Sequence, residues 1–572
     1  MTSWDASVDF LVIGSGAAGM TAALRAHDMG ATTMVVEKAV LFGGSTAISG
    51  GVVWVPNNPL MAQHGISDST DAGLQYLETV TAGTSSTERL RAYVETAPRM
   101  MSTLAENSHV RFECVKTYPD YFPEVPGGKS GGRSCEPLVF DALQLGAEFG
   151  RMRRMPTERL ILGGRLSMRA ADGHLMLAGG LPATWFMLRA LVRYYTNLRA
   201  RLQGLRNTNV TLGGALAGRL RLSLMDRAVP LWLNTTLREL LTEGGRVTGA
   251  CVERDGTLLR IQAKKGVLLA TGGFDRNAAM RARYQPAPIS DAWSAGCESN
   301  TGDSVTLATA VGASLDLMDD SWWCPAMLNP LCPSAPVWVM IFEKNLPASI
   351  IVNKRGQRFM NEAAPYNDTG KSMLRANTPD APAIPAYLIF DSTYRRKYPC
   401  GPMNPGYAVS DRSLPKGLEG AFFEKADTLD GLARKIGVDP AGLLATANRV
   451  KEFAVTGHDV DFHRGDSLQD RYYTVNADGP NPTLGPLAQP PFYAVKVYPG
   501  DLGTKGGVRT DPRARVLTEA NDPIPGLYAA GNCSAAVMGR TYPGAGATIG
   551  PAMTFGFIAA EHAVGGGREG RK

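Results

Sequence analysis

Three glycines at fixed spacing, Gly14, Gly16 and Gly19, follow the apolar run Val8-Asp9-Phe10-Leu11-Val12-Ile13, and an acid, Glu37, stands 18 positions after the last of them. The chemistry this spacing suits is the capture of a dinucleotide. Gly14 permits a tight turn, Gly16 lets a pyrophosphate approach the backbone, and Gly19 lets helix and strand pack closely. The helix that opens here turns its free N–H groups on the pyrophosphate, and Glu37 can accept hydrogen bonds from ribose hydroxyls.

The elements needed to hold such a site can be read around it. Val8–Ile13 reads as a buried parallel strand, the Ala/Met/Leu stretch after Gly19 as a helix, and Thr32–Val36 as a second strand, a βαβ unit of about 30 residues. The loop Phe42-Gly43-Gly44-Ser45-Thr46-Ala47-Ile48-Ser49-Gly50-Gly51 could wrap a phosphate and a flat ring, or be an ordinary flexible loop. Strands at Val267–Ala270 and Leu527–Ala530 stop at Gly272-Gly273 and Gly531-Asn532, so both carboxyl ends are expected at the cofactor crevice. Gly544, Gly546, Thr548 and Gly550 then precede an apolar helix, whose start can stabilise negative charge on a reduced flavin ring.

Motifs at both ends of the chain require a discontinuous domain. The expected class is α/β: a Rossmann-type dinucleotide domain from residues 1–319 and 504–572, with an α+β substrate domain inserted at 320–503. The crevice between them is the default active site. Length agrees, since 572 residues exceed what one core of about 250 to 300 residues accommodates.

Composition narrows the function classes. The 64 glycines exceed the usual share of about 7% without a collagen period, which points to many tight turns. A net charge of +6 and the lack of any nucleic-acid-binding motif argue against a nucleic-acid partner. The start MTSWDASVDF has no basic region of a secretory signal, so a cytoplasmic protein is expected, and no apolar run reaches about 18 residues. Eight cysteines without metal-ligand spacing read as reduced, mostly buried thiols, and no metal is expected.

One stretch departs in charge. Residues 151–227 hold fourteen arginines, no lysine and three acids. Within it, Trp185 to Tyr195 sets Arg189 and Arg193 beside large apolar side chains. That pattern suits an anionic membrane surface, and equally a solvated helix whose arginines face water or partner carboxylates.

Taken together, VIGSGAAGMTAAL, VVEKAVLFGGSTAISGGVVWVPNN, SNTGDS, SIIVNKRGQRFMNEAAPY, DFHRGDS, PGDLGTKGG and GLYAAGNCSAAVMGRTYPGAGATIGPAMTFG resemble the 3-ketosteroid Δ1-dehydrogenases, flavoproteins of the fumarate-reductase-like FAD superfamily. The resemblance covers nearly the whole chain. It implies catalytic roles for Tyr121 of the Pro-Asp-Tyr segment, Tyr366 of the Asn-Glu-x-x-Pro-Tyr segment, and Tyr542 and Gly546 of the Tyr-Pro-Gly-x-Gly turn. It also implies FAD held non-covalently by Gly14, Gly16, Ala17, Ala18, Gly19, Glu37 and Lys38, and by Gly43, Gly44, Ser45, Thr46, Ser49, Gly50 and Gly51. Further along, Gly272, Gly273, Asn300, Asp303, Gly531, Asn532, Gly546, Thr548 and Ile549 complete that set. The longer family members suggest loose association of the arginine-rich segment with the inner face of the membrane, which suits a sparingly soluble steroid and an external acceptor such as a quinone.

The implied chemistry removes hydrogens from carbons 1 and 2 of a 3-ketosteroid. Tyr542 O–H and Gly546 N–H would bind the carbon 3 carbonyl and acidify carbon 2, Tyr366 as phenolate would take the proton, and Tyr121 would favour its ionised form. FAD would accept the hydride at N5. A free tyrosine titrates near 10, so some depression of Tyr366 by hydrogen bonding or the flavin site is expected for activity near neutral pH. Two positions depart from the family pattern: Ala545, where a second proline is common, could loosen Gly546, and Arg540 replaces a frequent histidine. The rival readings are a 3-ketosteroid Δ4-(5α)-dehydrogenase, a fumarate-reductase-like enzyme, and a flavin-binding electron-transfer protein.

Overall fold

The computed structural model describes residues 4–156, 167–202, 204–205, 208–333, 336–475, 477 and 479–566. Its organising element is an eight-stranded sheet whose middle is parallel. Ala6–Ile13 lies between Thr33–Val36 and Thr257–Leu269, and Pro523–Ala529 pairs with the far side of Thr257–Leu269. Leu231–Trp232 adds a short parallel edge next to Thr33–Val36.

Register explains why motifs 500 residues apart meet. Ile13 pairs with both Val36 and Leu269, and Leu269 pairs with Ala529. Four carboxyl ends therefore finish level, and Gly14, Glu37, Gly272 and Gly531 leave from one edge of the sheet. The helices Ala17–Asp28 and Ile549–Gly565 pack on each other over that sheet, with Gly556 against the backbone of Ala18. This is the mixed α/β, Rossmann-type arrangement expected. The Gly43–Gly51 stretch is not wholly loop, since Gly44–Ala47 forms one helical turn.

A second, six-stranded antiparallel sheet is drawn entirely from Ser321 to Thr504. Ser321–Leu328 pairs with Phe492–Thr504, and Ser321 lies opposite Thr504, so the chain enters and leaves this region through adjacent strands. Apolar side chains of Ser349–Val352 and Ala386–Phe390 fill two cores of its own, one on each face.

The arginine-rich segment divides in two. Arg151 and Arg221 meet Glu148, Arg153 meets Glu298, Arg169 meets Glu113 and Asp172, and Arg227 meets Asp28, as the packed-helix reading expects. The helix Gly180–Thr196 does otherwise: Leu181, Trp185, Leu188, Val192 and Tyr195 are all exposed, with exposed Arg189 and Arg193 among them. Spacings of four, three, four and three put these apolar groups on one stripe. Arg159, Arg165, Arg206 and the side chain of Arg199 lie outside the described residues. All eight cysteines are buried. Among the described residues no helix is long and apolar enough to cross a membrane.

Candidate active site

Three tyrosines from distant parts of the chain meet above the level strand ends. The ring centroids of Tyr121 and Tyr366 are 5.5 Å apart, those of Tyr366 and Tyr542 are 5.1 Å apart, and those of Tyr121 and Tyr542 are 5.4 Å apart. All three are buried. Each is placed by a different element.

Tyr121 follows Asp120, whose carboxylate accepts from Trp54 Nε1 at 2.7 Å and Arg133 Nη1 at 2.8 Å, while Arg133 also pairs with Asp68. Burial pushes the Asp120 carboxyl up to about 6 despite the guanidinium beside it. Tyr121 N–H donates to the Pro543 carbonyl at 2.9 Å, which fastens it next to the turn that carries Tyr542. Tyr366 opens the helix Tyr366–Ala376 directly after Pro365, a residue suited to stopping at a helix start. Tyr542 begins the Tyr-Pro-Gly-Ala-Gly turn.

That turn is held firmly. Ala547 N–H donates to Gly544 at 3.0 Å, Gly550 N–H to Gly546 at 2.9 Å, and the Ala545 carbonyl accepts from Ser134 Oγ at 2.9 Å. Alanine in place of the second proline leaves Gly546 tightly bonded rather than loosened. Gly546 has φ +98, and a Cβ there would lie 2.6 Å from the Val53 backbone, so only glycine fits. Arg540 is exposed at the surface and pairs with Asp319 at 2.8 Å.

Burial dominates the electrostatics of the site. It raises the Tyr366 phenol well above its ordinary value, with the Tyr542 and Tyr118 phenols adding to the rise and a hydrogen bond from the neighbouring Tyr121 hydroxyl opposing it. Of the two sources expected to depress Tyr366, the protein supplies the hydrogen bond, and burial outweighs it. Burial also raises Tyr542, opposed by the Thr548 hydroxyl, by Tyr366 and by the Gly546 amide. Thr548 Oγ1 donates to the Tyr542 oxygen at 3.1 Å. Tyr542 and Gly546 are thus neighbours within one turn, the arrangement from which an oxyanion site could be built.

The glycine loops fit a bound dinucleotide. A Cβ on Gly14 would lie 2.2 Å from the Ala270 carbonyl and one on Gly19 2.0 Å from the Gly14 carbonyl, so both are packed backbone contacts. Gly16 differs: its Cβ would meet only Thr46 Oγ1, at 3.7 Å, and one on Gly44 only Gly16 Cα, at 3.9 Å. At these two glycines a Cβ would make only ordinary contact, so it is not packing against the protein that requires glycine there. Glu37 Oε2 accepts from Ser15 N–H at 3.0 Å and Ser15 Oγ at 2.7 Å, which binds the end of the second strand to the first turn. Ser45 Oγ accepts from Cys297 N–H and Asn300 Nδ2 at 3.1 and 3.0 Å.

Other candidate cofactor residues are engaged with the protein. Ala17 N–H donates to Thr46 Oγ1 at 3.0 Å, and Lys38 pairs with Asp303 at 2.8 Å. Ser49 Oγ accepts from Gly51 N–H, and a Cβ on Gly51 would strike Leu212. Gly272 and Gly273 pack against Asn300 and Thr504, and Ala18 against Gly531. A narrow cleft is lined by Trp322, Gly531, Asn532 and Thr548, at the start of the helix that Ile549 opens.

Sequence reasoning missed several residues here. Trp322 packs edge-on against Tyr542, with centroids 5.0 Å apart, and donates to Asn532 Oδ1 at 3.2 Å. Tyr118 and Tyr473 share a hydrogen bond of 2.6 Å beside Tyr121. His463 is exposed in a loop, 3.3 Å from Asp466.

Known proteins share this architecture. The family model described as FAD binding domain matches residues 9–549. A 3-oxosteroid 1-dehydrogenase of Mycobacterium tuberculosis is 42% identical over 97% of this chain and 98% of its own, and one of Mycolicibacterium smegmatis is 43% identical over 96% of each. The crystal structure of a 3-ketosteroid delta1-dehydrogenase from Sterolibacterium denitrificans, in complex with 1,4-androstadiene-3,17-dione, is 45% identical with a TM-score of 0.94, over 98% of this chain and 100% of its own. With its FAD-binding fold and this likeness over almost its entire length, the chain belongs to the 3-oxosteroid 1-dehydrogenases.

Proposed function

We propose that this protein removes the hydrogens at carbons 1 and 2 of 3-ketosteroids, with Tyr366 as base and Tyr542 O–H and Gly546 N–H as the carbonyl's hydrogen-bond donors. The observation that carries the reading is the meeting of Tyr121, Tyr366 and Tyr542 within 5.5 Å of one another beside the Gly546 turn.

The donors bind the carbon 3 oxygen and stabilise the enolate that forms as the carbon 2 proton leaves, each donor contributing about 3 to 4 kcal/mol. Tyr366 takes that proton. Tyr121, buried with its ring 5.5 Å from that of Tyr366, donates to the Tyr366 oxygen as it gains charge. The start of the Tyr366 helix favours the same charge by about 1 kcal/mol. Bound FAD supplies the acceptor for the hydride from carbon 1. The glycine loops and Glu37 would hold its pyrophosphate and ribose, Asn532, Thr548 and Ile549 would lie on the ring's side of the site, and burial of the tyrosine cluster keeps water from the enolate.

The division of the chain at 320 and 503 is supported by the adjacent strands at Ser321 and Thr504, and it puts Tyr366 on one part and Tyr121 and Tyr542 on the other. The exposed stripe from Leu181 to Tyr195, with its two arginines, supports peripheral attachment to an anionic bilayer, where the steroid and a quinone acceptor both dissolve.

The test is anaerobic. A 3-ketosteroid saturated at carbons 1 and 2 bleaches the flavin absorbance of the purified protein and is recovered as the 1,2-unsaturated product. No bleaching overturns the reading, and bleaching by a 5α-reduced Δ1-steroid instead identifies the Δ4 rival.

A further inference from the structure

Two lysines and one aspartate, none of them part of the site as drawn so far, gather behind the Tyr542 turn. The Asp320 carboxylate is buried. It accepts from Trp323 Nε1 at 2.6 Å and Ser321 N–H at 2.9 Å, and its other oxygen faces Lys371 Nζ at 3.0 Å and Lys505 Nζ at 3.7 Å.

Each lysine carries on to a backbone carbonyl next to the site. Lys371 donates to the Arg540 carbonyl and Lys505 donates to the Thr541 carbonyl at 3.0 Å. These are the two residues that lead into Tyr542. Lys505 also lies over the Trp322 ring, 4.8 Å from its centroid, and Trp322 packs on Tyr542.

The origin of Lys371 matters most. It sits in the helix Tyr366–Ala376, which begins at the proposed base. One ammonium therefore joins the element that carries the base to the turn that carries the carbonyl donor. Buried, charge-assisted contacts of this kind fix geometry more than they stabilise a fold. A displacement of about 1 Å between reacting groups can cost about 100-fold in rate.

We propose that Lys371 and Lys505, gathered on Asp320, are positioning residues that set the separation between Tyr366 and the Tyr542 and Gly546 donors. This rests on the assignment of base and donors above. Neither lysine touches the reacting atoms. Their work is to hold the carbonyls of residues 540 and 541, and so the entry into the turn, at a fixed distance from the first residue of the Tyr366 helix.

Lys371→Met is the first variant, because Lys371 is partly exposed and the change leaves the Lys505 contacts in place. Lys371→Arg and Asp320→Asn accompany it. The anaerobic rate of flavin bleaching at saturating 3-ketosteroid is measured with substrate deuterated at carbon 2 or at carbon 1, together with FAD content and thermal melting. Lys371→Met is expected to slow bleaching by at least about tenfold while substrate affinity changes by less than about threefold. The isotope effect at carbon 2 grows and the one at carbon 1 does not, FAD content stays full, and Lys371→Arg restores most of the rate.

An undiminished rate in Lys371→Met overturns the proposal. So does a loss of rate that tracks loss of FAD or of melting temperature with unchanged isotope effects, which is a structural role only. Asp320→Asn checks the shared anchor and is expected to reproduce the isotope pattern; wild-type isotope effects in that variant also count against the proposal. A wild type that no 3-ketosteroid bleaches overturns the assignment of function and the catalytic purpose of the clamp with it. A bleached wild type beside an equally fast Lys371→Met overturns the clamp alone.

Discussion

The rings of Tyr121 and Tyr366 meet edge to face at an interplanar angle of 80°, and the Tyr121 hydroxyl is the neighbour that opposes the rise of the Tyr366 phenol. A hydroxyl so placed favours the ionised form of its neighbour. Tyr366→Phe should slow flavin bleaching by about 100- to 10,000-fold, and Tyr121→Phe by less, both with full FAD content. Equal bleaching in wild type and Tyr366→Phe would remove Tyr366 from the base role.

The pH profile follows from the same burial. The base works deprotonated, and burial raises Tyr366 well above its ordinary value, so the reactive fraction at neutral pH is small and grows about tenfold per pH unit. The bleaching rate at low steroid concentration should climb through neutrality and still be rising near about pH 9. A plateau below about pH 8 would show that the working complex lowers the phenol far more than the protein's own groups do.

Gly16 separates folding from cofactor capture. Its backbone is extended, with φ −72 and ψ −178, and a Cβ there meets nothing nearer than 3.7 Å. Gly16→Val should therefore fold and melt like the wild type yet be purified without yellow colour. Retained flavin in that variant would mean the pyrophosphate does not lie between Gly16 and Gly44.

Asp275 makes stability depend on pH. Burial and the neighbouring Asp501 push its carboxyl up from 3.8 to about 7, so the folded chain binds this proton more tightly than the unfolded one. The contribution is complete below about pH 4 and lost progressively up to about pH 7. The fall in melting temperature between about pH 5 and pH 8 should be smaller in Asp275→Asn than in wild type. An equal fall would show that Asp275 is ionised throughout.

Attachment to lipid is tested on the exposed stripe. Replacing Trp185 and Leu188 by serine should abolish co-sedimentation with anionic vesicles while steroid turnover in detergent is unchanged. Equal sedimentation of variant and wild type, or none by either, would leave the stripe without a membrane role.

What could be read from the sequence was local. Gly14, Gly16, Gly19 and Glu37 advertise themselves by spacing, because one turn, one helix start and one strand end must follow in order. The tyrosines do not. Any of 18 tyrosines could fill a core, and only the surrounding motifs single out Tyr121, Tyr366 and Tyr542. The Asp320, Lys371 and Lys505 cluster was invisible, since residues so far apart come together only through the pairing of Ser321 with Thr504 and the docking of the Tyr366 helix. The raised Tyr366 phenol was likewise hidden, because burial is set by packing of distant segments. For the arginine-rich segment, periodicity alone left open which side chains meet carboxylates within the protein and which face outward.

The level ends of the parallel strands also order events during synthesis. Thr257–Leu269 has one neighbour in Ala6–Ile13 as soon as it emerges, but its other neighbour is Pro523–Ala529. At about 5 to 20 residues per second, roughly 10 to 50 s of translation separate the two. Through that interval Arg246–Arg254 covers Thr257–Gln262, but Val267–Leu269 at the cofactor end of the strand is open on one side, and the cradle for the flavin lacks one wall. The cradle is thus complete only in a chain synthesised past residue 529.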